Sequence, residues 1–153
     1  MPIVLGSPAP DFTAPATGGT FSLAAQRGKK VVLYFYPKDN TPGCTTESLK
    51  FRDANDAFAA AGALIVGVSR DSLASHQRFQ TKLGLPFALV SDTDETVCRA
   101  YDVIRPKKLY GKVYQGLERS TFLIDGDGLL QKEWRQVKVD SHVDDVLSAV
   151  QAL

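Results

Sequence analysis

Cysteine is scarce in this chain, and the scarcity bounds its chemistry. Of 153 residues only Cys44 and Cys98 are cysteine, too few for a disulfide framework or a tetrahedral thiolate metal site. Any cysteine chemistry therefore rests on a single reactive thiol or on one pair. Neither sign of charge dominates: 18 Lys and Arg stand against 17 Asp and Glu. A nucleic-acid protein needs clustered cations to meet phosphates, so no nucleic-acid partner is expected. Long hydrophobic runs are also missing. The longest apolar stretch, Ala57 to Val68, is broken by Gly62 and falls short of the ~20 residues of a membrane helix, so no membrane span is expected. The start, Met1-Pro2-Ile3-Val4-Leu5-Gly6, has neither the basic region nor the apolar run of a secretory signal. A cytoplasmic location, where thiols stay reduced, is the expectation. Repeats, low-complexity segments and Pro, Gly or Ser-rich linkers are absent, so residues 1–153 read as one domain, which at this length buries about 68–70% of its unfolded surface.

The segments that are present alternate between strand and helix patterns. Asp11 to Ser22, with Gly18-Gly19 at its middle, reads as a short hairpin. Val31-Val32-Leu33-Tyr34-Phe35-Tyr36 is a continuous run of β-branched, aromatic and aliphatic residues, the pattern of a central strand covered on both faces. A turn-rich loop, Pro37 to Gly43, leads into a helix with Phe51, Ala54, Phe58 and Ala61 on one face. A strand over Ala63–Val68, a helix from Asp71-Ser72 to about Gly84, a strand over Pro86–Val90 and a short helix from about Asp94 to Tyr101 follow. Ile104 to Gly116 is basic and reads as irregular. Strands over Ser120–Ile124 and Leu129–Trp134 flank Asp125-Gly126-Asp127-Gly128, which resembles the start of a calcium loop. Gln136 stands where that loop needs a bidentate Glu, so it reads as a hairpin turn. Ser141 and Asp144, spaced like a capping box, open a final helix with Val143, Val146, Leu147 and Val150 on one face. Together these patterns predict an α/β fold: a mixed central sheet with helices on both faces and an N-terminal β-hairpin.

Cys44 is the residue placed for chemistry. Thr41 suits an N-cap, Pro42 suits the first helical position, and Cys44 then lies third in the helix, its N–H without an intrahelical partner. The positive end of a helix favours a thiolate. The loop also follows a central strand, on the side of an open α/β sheet where ligands bind. A free thiol of pKa ~8.5 is only ~3% ionised at pH 7, and bringing such a thiol to ~6 takes ~3.4 kcal/mol. A helix end supplies ~0.3–1 kcal/mol and ~2 at most, so a nearby cation is required.

Pro37-Lys38-Asp39-Asn40-Thr41-Pro42-Gly43-Cys44 resembles the Pro-x-x-x-Thr-x-x-Cys motif of peroxiredoxins, in the Thr-Pro-Gly-Cys-Thr form of the peroxiredoxin Q, or bacterioferritin comigratory protein, group. The likeness extends over nearly the whole chain: Phe51-Arg52-Asp53, Val68-Ser69-Arg70-Asp71-Ser72, Leu89-Val90-Ser91-Asp92, Glu118 to Asp125 and the helix at His142 occur in the same order. It implies a thioredoxin-like fold and a thiol-dependent peroxidase acting on hydrogen peroxide and organic hydroperoxides through a sulfenic acid, with no metal, flavin or haem. By the same resemblance Cys44 is the peroxidatic nucleophile and Arg119 the cation beside it. Thr41 orients peroxide and thiolate, and Pro37 shields the sulfur from water.

The chain departs from a common form of that group at Leu49, where many members carry a resolving cysteine. Cys98, the only other thiol, reads as a small buried residue beside Val97 and Tyr101. A resolving role for it would require the Cys44 helix to unwind, since disulfide Cα atoms must come within ~7 Å; pairing between molecules is a further alternative. Without a resolving cysteine the sulfenic acid needs an external thiol, which the resemblance implies is thioredoxin or a similar dithiol protein. His76 and His142 read as structural rather than as ligands, and Arg105, Lys107, Lys108 and Lys112 as a solvated loop able to dock an acidic reductase. Two rival functions are weaker. A thioredoxin-like disulfide reductase would need a second thiol where Thr45, Thr46 and Glu47 stand, and a non-catalytic redox or chaperone module would not need Thr41, Cys44 and Arg119 together.

Overall fold

The chain begins with the expected hairpin, β1 (Thr13–Ala16) and β2 (Gly19–Ser22), turning through Gly18 at φ 82°. The computed structural model describes residues 3–153; Met1 and Pro2, which entered the reading of the amino terminus, lie outside the described residues. After the hairpin come β3 (Lys30–Phe35), α1 (Pro42–Ala60), β4 (Ala63–Ser69), α2 (Leu73–Leu83), β5 (Ala88–Ser91) and α3 (Thr96–Ala100). The remainder is β6 (Ile104–Leu109), β7 (Lys112–Leu117), β8 (Ser120–Ile124), β9 (Leu130–Trp134) and α4 (His142–Gln151).

Seven strands form one sheet in the order β2-β1-β5-β4-β3-β8-β9. Strands β3, β4 and β5 are parallel, and β1 and β8 join them antiparallel, which makes the sheet mixed. Because side chains alternate along a strand, β3 feeds two cores. Val31, Leu33 and Phe35 enter one with Val97, Cys98 and Tyr101 from and after α3. Val32, Tyr34 and Tyr36 enter the other with Cys44, Phe51 and Phe58 of α1, Phe79 of α2, and Val143, Val146 and Val150 of α4. Helices thus lie on both faces, three on one and the short α3 on the other. Glycine is required at one mid-strand position. A Cβ on Gly67 would stand 2.7 Å from Leu89 Cδ2 and 2.9 Å from Tyr34 Cζ, so its absence lets the Tyr34 ring lie flat on Phe51, centroids 4.6 Å apart.

Three local expectations are corrected. The basic segment at 104–116 is not irregular: β6 and β7 form a separate two-stranded antiparallel sheet, turning at Tyr110 (φ 51°) and Gly111 (φ 77°). The alternation that marks a strand is missing because toward the tip both of its faces meet solvent. Ser141 precedes α4, but its side chain makes no capping bond, because its ψ of 10° is not the extended backbone that aims a cap hydroxyl at the first turn. Asp144 and Asp145 still place negative charge in that turn. The third correction, at Thr41, belongs to the site. Asp125 Oδ1 meanwhile accepts from the N–H groups of Asp127 (3.0 Å) and Leu129 (2.9 Å), the bonding of a turn.

Candidate active site

The loop after β3 is fixed from below by a buried polar network. Tyr36 donates to Asp39 Oδ1 (2.7 Å), Ser75 donates to Asp39 Oδ2 (2.8 Å), and the Asp39 N–H donates to Asp71 Oδ2 (2.9 Å). His76 sets Nδ1 2.8 Å from Asp39 Oδ2 and Nε2 2.9 Å from the Val90 carbonyl oxygen. Burial alone would raise the Asp39 carboxyl, but His76, with Tyr36 and Ser75, holds it below the usual value. Asp39, Asp71 and His76 bring ligand-type atoms within 4.8 Å of one another. Hydrogen bonds within the network engage those atoms, and through them His76 ties α2 and β5 to the loop that carries Asp39.

Above this scaffold the chain turns through Asn40 (φ 63°) into α1. Thr41 occupies the N-cap with extended backbone, and Pro42 is the first helical residue, both as expected. The Thr41 hydroxyl, however, does not cap: it donates to the Lys38 carbonyl at 2.8 Å, closing the loop on itself. Its donor is consumed there, so toward a ligand Thr41 can only accept. The first backbone bond into the helix is Thr45 N–H to Thr41 O, 2.9 Å, and among the described residues the Gly43 and Cys44 amides have no backbone acceptor.

Cys44 is completely buried, and Arg119 Nη2 donates to its Sγ at 3.3 Å. Arg119 comes from the residue before β8, the strand paired to β3. The guanidinium packs close over Gly43, where a Cβ would lie 3.1 Å from Nη2 and push it aside by a few tenths of an ångström. Its other nitrogen, Nη1, donates to Glu47 Oε1 at 2.7 Å. Glu47 did not emerge from the sequence as a site residue. Its signal was spacing alone, three residues after Cys44 and four before Phe51, on the face of α1 that turns inward. Its second oxygen, Oε2, is buried without a hydrogen-bond partner among the described residues. Burial pushes the Glu47 carboxyl up from 4.5 to about 7, against the pull of Arg119, while the Arg119 guanidinium, though half-buried, is held more firmly protonated by Glu47 and Cys44. On its outer side Arg119 lines an open cleft of about 590 Å³ together with Arg105, Pro106, Lys107, Glu118, Gln136 and Val137. Pro37, half-buried, begins the loop at the end of the central strand.

These titrations give a measurable pH dependence of stability. Between pH 4.5 and about 7 folded Glu47 keeps a proton that the unfolded chain has lost, so its contribution is full below 4.5 and falls as pH rises through 7. His142 acts oppositely: burial lowers its ring from 6.5 to about 4, so its contribution is full above 6.5 and lost as pH falls through 4. Glu47→Gln removes only the first effect. Its unfolding free energy, from urea melts, should climb more steeply with pH than that of the native chain, the gap growing by about 3 kcal/mol across the Glu47 window. Parallel curves would place the titration elsewhere.

Cys98 lies in the other core. It is fully buried, its N–H donates to Asp92 Oδ2 at 2.7 Å, and burial with Asp92 drives its thiol strongly toward the protonated form. Since Cys44 packs with Val32, Tyr34 and Tyr36 and Cys98 with Val31, Leu33 and Phe35, the two thiols occupy opposite faces of the central sheet.

A thioredoxin-like sheet that presents a helix-terminal cysteine to an arginine is the framework of the thiol-dependent peroxidases. The AhpC/TSA family profile matches residues 5–133, and the chain belongs to that family as a peroxiredoxin. It is 53% identical over 152 residues to Peroxiredoxin Bcp of Xanthomonas campestris, covering 97% of this chain and 95% of that one, and 50% identical over 151 residues to Peroxiredoxin Bcp of Bacillus subtilis, covering 98% and 96%. A solved structure of Xanthomonas campestris Peroxiredoxin Q superposes with a TM-score of 0.89 at 51% identity, over 92% of this chain and 90% of that one. A structure of the bacterioferritin comigratory protein of the same organism, described in terms of its alkyl peroxide reduction activity, matches equally well. Among the described residues no helix is long and apolar enough to cross a membrane.

Proposed function

We propose that Cys44 is the peroxidatic nucleophile, acting on hydrogen peroxide and alkyl hydroperoxides in a reducing, cytoplasmic compartment, and that an external dithiol protein of the thioredoxin kind resets it. The observation that carries this reading is the Arg119 guanidinium 3.3 Å from the Cys44 sulfur, at a helix start with unpaired amides. The Cys44 thiolate attacks one peroxide oxygen in line with the O–O bond. The S–O bond forms as the O–O bond breaks, sulfur is oxidised to a sulfenic acid, and the departing alkoxide or hydroxide takes a proton to leave as alcohol or water. Charge grows on the leaving oxygen, where Arg119 and the Cys44 N–H can donate from fixed positions. Thr41 accepts a hydrogen bond from the peroxide, Pro37 keeps water from the sulfur, and Glu47 holds the guanidinium in place. The sulfur has no exposed surface, so the loop at 37–41 must shift to admit the substrate while Glu47 keeps the guanidinium in place.

A thiol of the reductant then attacks the sulfenic sulfur, releasing water and forming a mixed disulfide, and its second thiol displaces Cys44 as thiolate. Intact mass after one equivalent of hydrogen peroxide tests the scheme. The expected product gains one oxygen, mapped to the Cys44 peptide. Loss of two hydrogens would instead reveal a Cys44–Cys98 disulfide and remove the need for direct attack by the reductant, and an unmodified Cys44 would overturn the assignment.

A further inference from the structure

The β6–β7 hairpin stands apart from the main sheet and has no evident part in peroxide chemistry. Residues 104–117 contain Arg105, Lys107, Lys108 and Lys112 and no Asp or Glu. Arg105 is paired with Asp102 at 2.7 Å, but among the described residues Lys107, Lys108 and Lys112 enter no ion pair. Apolar groups are exposed beside them: Leu109 is 55% exposed, Tyr110 95%, Val113 68% and Tyr114 46%. Cross-strand pairing sorts these residues by face. Lys107 lies opposite Tyr114 and Leu109 opposite Lys112, so with Arg105 all share one face, while Ile104, Lys108, Val113 and Leu117 share the other. Arg105 and Lys107, at the inner end of the first face, line the same cleft as Arg119.

We propose that the hairpin face bearing Lys107, Leu109, Lys112 and Tyr114 docks an acidic dithiol protein that reduces oxidised Cys44. The inference rests on the reading of Cys44 above, and it names the surface and the charge of the partner. Three observations support it. No second thiol shares the face of the sheet with Cys44, so reducing equivalents must arrive from outside. Exposed Lys112 beside Leu109 and Tyr114, with half-buried Lys107, whose Nζ donates to the Leu117 carbonyl at 2.9 Å but enters no ion pair among the described residues, suits a partner with carboxylates around an apolar centre. One interface can also cover both the hairpin tip and the cleft that Arg119 lines. The hairpin tip lies about four residues beyond the cleft wall, ~13 Å, and a standard interface of ~800 Å² per partner spans a radius of ~16 Å.

The test compares two reductants on the full chain: dithiothreitol, and a thioredoxin of net negative charge recycled by its reductase and NADPH. The variant combining Leu109→Ser, Lys112→Glu and Tyr114→Ser should raise the KM for thioredoxin about tenfold or more and leave turnover with dithiothreitol unchanged. Lys29→Glu, at the opposite end of β3, should change neither. Raising salt from about 0.05 to 0.5 M should slow the thioredoxin-supported rate and spare the other. An unaltered KM for thioredoxin in the triple variant, or a salt-independent thioredoxin rate, overturns the proposal. So does native enzyme that turns over with dithiothreitol but not with thioredoxin, or a dimer in sedimentation that the triple variant dissociates, since the face would then belong to a second copy. Failure with both reductants would instead strike the peroxidase reading itself.

Discussion

Replacement of Cys44 by serine is expected to reduce peroxide consumption to the uncatalysed background. A serine hydroxyl is not measurably ionised near neutrality, and oxygen is a far weaker nucleophile toward peroxide than a thiolate, so nothing at position 44 can open the O–O bond. No other thiol can substitute, because Cys98 sits across the sheet, buried and held protonated. The fold should survive. Serine is close to cysteine in volume, and its oxygen can accept the hydrogen bond that Arg119 now gives to sulfur, leaving no buried donor unmatched. Peroxide remaining against time, with dithiothreitol in excess, measures the effect. Cys98→Ser should keep most of the rate in the same assay. Appreciable turnover by Cys44→Ser, or its loss in Cys98→Ser with the fold intact, would reverse the roles given to the two cysteines.

The contrast between these cysteines shows what could be read from the chain. Cys44 was legible because each neighbour has a local consequence: Pro42 starts a helix, Gly43 removes a side chain, and the preceding apolar run can only be a central strand. Arg119 was legible only through the resemblance, since nothing local ties a residue 75 positions away to that helix; pairing of β3 with β8 creates the contact. Glu47 was missed for a related reason. A carboxylate in the first turns of a helix normally faces solvent near the positive end of the dipole, and its burial here is imposed by a cation from another strand. The β6–β7 hairpin escaped notice because period-two alternation reports a half-buried sheet, and this sheet is wet on both faces toward its tip. Thr41 was placed correctly as an N-cap residue, but a carbonyl of its own loop won its hydroxyl, a competition that residue type does not decide.

Arg119→Ala is expected to slow the oxidation of Cys44 about 10²–10³-fold, the usual effect of removing one preorganised donor from a developing negative charge. Two consequences accompany that substitution, and they must be separated. Chemically, the sulfur and the leaving oxygen lose the charged partner that Arg119 supplies. Structurally, Glu47 loses the guanidinium that opposes its burial, so its carboxyl, already pushed up to about 7, is driven further toward the neutral form. The variant should therefore be less stable above neutral pH than the native chain and recover part of that loss as the medium is acidified. Adding Glu47→Gln to Arg119→Ala supplies a neutral group of the same shape. The double variant should regain stability at pH 8 without regaining rate. Arg119→Lys should fall between, because one ammonium cannot donate in two fixed directions to Sγ and Glu47 Oε1 as the planar fork does. Single-turnover oxidation, quenched and read by mass, gives the rates, and urea melts of the same samples give the stabilities. If the double variant recovered its rate along with its stability, Arg119 would be a structural counter-ion to Glu47 rather than a participant in breaking the O–O bond.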